Sequence, residues 1–164
     1  MGIFSGTGDT GETSTLDGQR LSKNDELIHL LGAVDEVNCH LGLVKTALPD
    51  DETRQLIENI QKKLMKLMSH ISGCADEKYL FSENEVKGIE KEIDRLAKKT
   101  TGQLQFVIPG KNALEAQIHI ARTAARRAER LFFAANEKRQ LCPKAGAYLN
   151  RLSDYLFVLS QQEF

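Results

Sequence analysis

The sequence has little cysteine, no excess charge of either sign and no long apolar run. Its three cysteines, Cys39, Cys74 and Cys142, are widely spaced, odd in number and form no CxxC pair. Neither a disulfide framework nor a zinc knuckle is indicated, and all three read as reduced and mostly packed. The 22 basic and 23 acidic side chains leave a formal net charge of −1. No global field draws such a chain to nucleic acid or to an anionic membrane, so any anion site must be local. No apolar stretch approaches the roughly 20 residues that span a bilayer, and the start MGIFSGTGDTG lacks the basic and apolar regions of a signal peptide. The expected setting is the cytoplasm, with neither nucleic acid nor membrane as a partner.

Catalytic signatures are scarce as well. His29, His40, His70 and His119 show no HExxH or other ligand spacing, so no metal site built from protein side chains is expected. There is no Ser-His-Asp order and no nucleophile elbow. A nucleophile, if the protein is an enzyme, must arrive with a substrate or cofactor.

What the sequence does have is helical periodicity. A chain of 164 residues with 41% apolar content forms one domain, residues 1–164, with enough apolar surface for a core. Apolar residues fall at 27, 30, 34, 37, 41 and 44, alternating steps of three and four, which is the helical period and excludes a strand. Asn24 or Asp25 can cap that helix. A second stripe runs through Ile57, Ile60, Leu64, Leu67, Ile71 and Cys74. A third runs through Val86, Ile89, Ile93 and Leu96, with Ser82 and Glu85 in the capping-box arrangement and Lys98 and Lys99 suited to its C-terminal dipole. The fourth passes through Leu114, Ile118, Ala121, Ala125, Ala128, Phe132 and Ala135, small enough for close helix approach. The fifth uses Leu149, Leu152, Leu156 and Leu159. The expected fold is all-α, an up-and-down five-helix bundle of antiparallel neighbours over residues 24–162.

Two segments stand outside the bundle: residues 1–23, with five of the twelve glycines, and the loop from Lys99 to Lys111 with its apolar run Leu104 to Ile108. In SGTGDTGETST, residues 5–15, glycines alternate with hydroxyl residues, a composition that brings backbone N–H groups close to phosphate oxygens. It is not a Walker loop, and a loose N-terminus gives the same pattern. The fourth helix carries Arg122, Arg126, Arg127 and Arg130, three of them at successive steps of four. Like charges so spaced repel and call for anions, which makes the row either a solvated face paired to nearby acids or a phosphate clamp. Glu129 is the one acid within the row. Asp35 and Glu36 are candidate partners, and Asn150 can bond a sugar hydroxyl or Asp154.

TGDTGETS at 7–14, SKND at 22–25, GAVDEVN at 32–38, FVIPG at 106–110, HIARTAARRAER at 119–130 and LNRLSDYLF at 149–157 together resemble the PduO-type ATP:cob(I)alamin adenosyltransferases. The blocks run in family order over nearly the whole chain. The resemblance implies a homotrimer of five-helix bundles that binds ATP, with Mg²⁺, between adjacent subunits and a corrinoid beside it. It implies that residues 1–23 form the nucleotide-binding loop, with Ser5, Gly6, Thr7, Gly8, Thr13, Ser14 and Lys23 around the triphosphate. It implies further that Arg126, Arg127, Ala128, Glu129, Arg130 and Asn150 complete the site from the neighbouring subunit. Arg122 matches an arginine that pairs with Asp35 across the boundary, and Phe106 matches the aromatic covering the lower axial face of cobalt. The implied catalytic set is Arg126, Lys23 and Phe106, acting on Co(I) supplied through a corrin reductase. The family usually has Lys or Arg where this chain has Gly6, and a nucleotide-binding sensor without turnover is the second reading.

Overall fold

The computed structural model describes residues 6–100 and 107–164. Five helices follow a small hairpin: β1 (Glu12–Ser14), β2 (Arg20–Ser22), α1 (Glu26–Ala47), α2 (Asp51–Ile71), α3 (Glu83–Lys99), α4 (Ala113–Arg139) and α5 (Pro143–Ser160), with one 3₁₀ turn at Glu77–Tyr79. Helices α1 to α4 start where short polar side chains satisfy orphan N–H groups, and α5 starts at Pro143 without a side-chain cap. Asp25 accepts from the Leu27 N–H, Asp50 from Thr53 and Asn112 from Glu115, each at 2.8 Å. Ser82 and Glu85 form the expected capping box, and each such cap stabilises by about 1 kcal/mol.

All six stripe positions of α1 are buried, as are the leucines of α5. The core is therefore built by the periodicity read from the sequence. Five helices surround it in four packed pairs, α1 against α2 and α4, and α5 against α4 and α3. At the α4–α5 contact the small residue is on α5: a Cβ added at Gly146 would stand 2.5 Å from the ring of Phe132.

The arrangement departs from the expected antiparallel neighbours at one boundary. Asp25 meets Arg139 at 2.8 Å and Glu36 meets Arg127, so α1 and α4 are antiparallel. Glu83 pairs with Lys144 and Glu90 with Arg151, so α3 and α5 run parallel. The reason is topological: five helices that alternate in direction around a closed ring must leave one parallel pair. Across the remaining seam, α2 and α3 do not pack as a helix pair but are joined by Lys66–Glu85 and by Arg95–Glu52 at 2.9 Å.

Three further expectations change. The glycine-rich lead contains a hairpin, with Thr13 opposite Leu21, because Leu21 packs against the bundle and the Leu16 N–H donates to the Ser72 carbonyl at 2.9 Å. The cysteines are free but not mostly packed: Cys39 is exposed, and Cys74 and Cys142 are half-buried. Helix α1, of 22 residues with mean hydropathy 1.3, is long and apolar enough by composition to cross a membrane. Its apolar side is instead covered by α2 and α4, which accounts for the composition.

Candidate functional site

The lead is held as a cluster of donors around glycine. Its turns close through Asp9 N–H to the Gly6 carbonyl and Gly11 N–H to the Gly8 carbonyl, both 3.2 Å. The Lys23 N–H donates to the Gly11 carbonyl at 2.8 Å. This brings the Lys23 ammonium across Gly8, 3.2 Å from where a Cβ would be. A side chain at position 8 would push the lysine back by a few tenths of an ångström. Thr7 and Ser14 are exposed and Thr13 is half-buried. Ser5 and Phe106 lie outside the described residues.

On α4 the arginines separate into distinct roles. Arg127 pairs with Glu36 of α1. Arg122 donates from Nε to His119 Nδ1 at 3.1 Å, and Arg130 reaches only the Arg126 carbonyl at 3.2 Å. Among the described residues, Arg122, Arg126 and Arg130 form no ion pair, so the three guanidiniums at steps of four keep their charge uncompensated. Glu129, the acid within the row, is turned to α5, where it accepts from Asn150 Nδ2 at 2.6 Å. Asn150 also accepts from Arg151 at 2.8 Å and does not bond Asp154. Ala128 is fully buried, its side chain in the core and away from the exposed row. Asp35 is exposed on α1.

The two sets of donors are far apart in one chain. Lys23 adjoins Asp25, which binds Arg139, and the 13 residues from Arg126 to Arg139 span roughly 20 Å of helix.

The sequence model of the family described as cobalamin adenosyltransferase matches residues 3–163. The chain belongs to the cobalamin adenosyltransferase family. It is 36% identical to a corrinoid adenosyltransferase of Citrobacter freundii, over 98% of this chain and 94% of that one. It is 34% identical to the corrinoid adenosyltransferase PduO of Salmonella typhimurium, of whose length it spans 50%. A phenylalanine-to-alanine variant of the PduO-type ATP:corrinoid adenosyltransferase from Lactobacillus reuteri, complexed with cobalamin and ATP, superposes with a TM-score of 0.89 at 29% identity, covering 98% of this chain and 92% of that one. An arginine-to-lysine variant of the same enzyme, complexed with ATP, gives 0.86 at 30% identity.

In this adenosyltransferase-family chain the structure adds residues that the sequence reading passed over. Arg20 on β2 reaches the Thr7 carbonyl and Glu12, both at 3.1 Å, and Ser14 at 3.4 Å. It places a guanidinium beside the lead. Its signal was its position three residues before Lys23, opposite a strand that sequence did not reveal. Glu115 and His119 form a buried contact at 3.0 Å, without hydrogen-bond alignment. The other Glu115 oxygen accepts the N–H groups of Gly110 at 2.7 Å and Lys111 at 3.2 Å. Through Glu115 and His119 the end of the 107–111 segment is tied to Arg122. The i, i+4 spacing of these two residues was visible, but nothing local indicated their burial.

Proposed function

We propose that the protein transfers the 5′-deoxyadenosyl group of ATP to the cobalt of a reduced corrinoid, at sites assembled between copies of the chain in a homotrimer. The observation that carries this reading is the uncompensated arginine row, on a chain of this family, held roughly 20 Å along the bundle from the glycine–lysine lead. A neighbouring copy is the means of bringing them together. The outer side of α1 and α4 leaves Leu43, Ile120 and Phe133 about half exposed, which suits a subunit contact.

In this reading Ser5, Gly6, Thr7, Gly8, Thr13, Ser14 and Lys23 of one subunit surround the triphosphate, with Arg20 adding charge. Arg126, Arg127, the Ala128–Glu129 segment, Arg130 and Asn150 of the next hold the nucleotide from the other side. Asp35 pairs with Arg122 across the boundary. Among the described residues no cluster of three His, Cys, Asp or Glu side chains stands ready to hold a cation. In this reading magnesium arrives with ATP and would supply charge neutralisation at its phosphate oxygens.

The cobalt of cob(I)alamin attacks the ribose 5′ carbon with its lone pair, the Co–C bond forms, and the C–O bond breaks with its electrons leaving on inorganic triphosphate. No protein nucleophile is needed. Lys23 and Arg126 counter the charge that accumulates on the departing oxygen, an interaction stronger in the transition state than in bound ATP. Phe106 displaces an axial donor from the lower face of cobalt, which makes Co(II) easier to reduce. A corrin reductase supplies that electron, and the cytoplasm is the setting.

The test is an anaerobic assay with chemically reduced cob(I)alamin and Mg-ATP, following the visible spectrum of the light-sensitive product. Enzyme-dependent product with stoichiometric triphosphate is the expected result. ATP binding without product would overturn the transferase and leave a nucleotide sensor.

A further inference from the structure

The segment 107–111 stands away from the bundle. All five of its residues are exposed, Ile108 by 94%, so core burial does not hold them in place. Among the described residues, the hydrogen bonds they make are the two N–H groups given to one oxygen of Glu115, from Gly110 at 2.7 Å and from Lys111 at 3.2 Å. Gly110 has φ 120°, a left-handed conformation that residues with a side chain rarely adopt. A glycine turn and a single carboxylate therefore fix the path of the segment.

Glu115 lies in the first turn of α4, where the helix dipole favours a carboxylate. Helix capping accounts for one of its oxygens and not for the other. Oε1 is buried 3.0 Å from Nε2 of His119, itself buried, and neither atom has another hydrogen-bond partner. On the far side of the ring, His119 Nδ1 accepts from Nε of Arg122 at 3.1 Å. A guanidinium only donates, so Nδ1 presents its lone pair and the ring proton lies on Nε2, toward Glu115. The carboxylate thus faces donors from two directions, the 107–111 backbone and the His119–Arg122 pair. Arg122 lies seven residues further along α4, about 10 Å by helix rise. With its Nε engaged and no ion pair among the described residues, its two terminal nitrogens remain for an acid from another copy of the chain.

We infer that Glu115 is a positioning residue for adenosyl transfer: one buried carboxylate fixes the 107–111 segment and, through His119, the guanidinium of Arg122, so that the two keep a set relation. This role rests on the reading above, in which Phe106, directly before the segment, covers the cobalt and Arg122 pairs with Asp35 across the subunit boundary. The face offered to the corrinoid and the boundary that binds ATP are then coupled through a single side chain. A segment ordered before the corrinoid arrives avoids the conformational entropy cost of being fixed at the metal.

The experiment compares the full chain with its Glu115→Ala, Glu115→Asp, Glu115→Gln and Phe106→Ala variants. Each is assayed at saturating ATP with chemically reduced cob(I)alamin, and with cob(II)alamin plus a reduced flavin. The electron paramagnetic resonance of cob(II)alamin with Mg-ATP reports loss of the axial donor. Glu115→Ala removes the acceptor, and Glu115→Asp withdraws it by one methylene while keeping the charge at the helix start. Both should lower the rate from Co(II) by about tenfold or more, keep the rate from Co(I) within about threefold and lose the four-coordinate signal. Should the alanine variant not fold, the aspartate variant carries the same expectation. Glu115→Gln keeps an oxygen for the two N–H groups but sets its own N–H₂ against Nε2–H of His119. Its Co(II) rate should stay within about threefold of the parent, while KM for ATP, which reports Arg122 at the boundary, rises by about threefold or more. Equal loss from Co(I) and Co(II) would reduce Glu115 to a stabilising residue and overturn the role. Parent rates and signal in the alanine and aspartate variants would overturn the hold on the segment, and a parent KM in Glu115→Gln would overturn the link to Arg122. If Phe106→Ala keeps the signal, the reading of Phe106 fails and the role of Glu115 falls with it; if Phe106→Ala loses the signal and the Glu115 variants keep it, the role of Glu115 alone fails.

Discussion

Replacing Gly146 by alanine sets two effects of opposite sign against each other. Alanine inside a helix is favoured over glycine by about 0.5–1 kcal/mol, so local propensity predicts stabilisation. The structure predicts the reverse, since the new methyl would lie 2.5 Å from Phe132 Cε1 and 2.7 Å from Cδ1. Phe132 cannot retreat: it is 1% exposed and its ring packs edge-on against Phe133 at 5.5 Å. Overpacking of this kind costs about 1–3 kcal/mol, leaving a net loss of roughly 1–2 kcal/mol. For a domain of this size the midpoint should fall by about 3–6 °C in scanning calorimetry. One turn further along α5, Asn150 contacts Glu129 of α4 at 2.6 Å, so widening the α4–α5 spacing should also raise KM for ATP. Adding Phe132→Leu to the alanine variant should recover part of the loss. An unchanged or higher midpoint for Gly146→Ala would refute the claim that helix contact, and not backbone freedom, selects glycine here.

The other perturbations separate stability from turnover. Arg126→Ala should melt within about 0.5 kcal/mol of the parent, because the side chain is exposed and has no ion pair among the described residues, yet lose turnover by about 10²–10³; near-normal turnover would remove it from the mechanism. Phe106→Ala should keep activity with cob(I)alamin supplied and lose it when the assay starts from Co(II), and equal activity of variant and parent from Co(II) would end that role. Glu85 is raised by burial but lowered more by Lys66 and Ser82, to about 2 from 4.5. Because its folded pKa is depressed, its contribution of about 3 kcal/mol is present above pH 4.5 and is lost as the pH falls towards 2. Glu85→Gln should flatten the acid slope of stability between about pH 5 and 2, and an unchanged slope would show that other carboxylates carry it.

Much of this architecture is local information. The stripes at steps of three and four in α1 and α5, the Ser82–Glu85 box and the Asp25 cap depend on residues within one or two turns. A sequence therefore states them directly. The arginine row was equally visible, since its spacing alone implies repulsion that must be answered. Which acid answers which arginine was not legible: Glu36 takes Arg127, Glu129 turns to Asn150, and Arg126 has no ion pair among the described residues. Those outcomes depend on helices far apart in the chain. The same holds for Arg20, whose role depends on a hairpin too short to announce itself, and for Glu115 and His119, whose burial follows from the path of the 107–111 segment. Sequence by itself determined five helices, their buried sides and the family. Only the tertiary structure decided that α3 and α5 run parallel, that α2 and α3 do not pack as a helix pair, and that the lead and the row stand roughly 20 Å apart in one chain. The physical reason is that periodicity specifies what each helix must bury, whereas which helix buries it is a property of the closed ring.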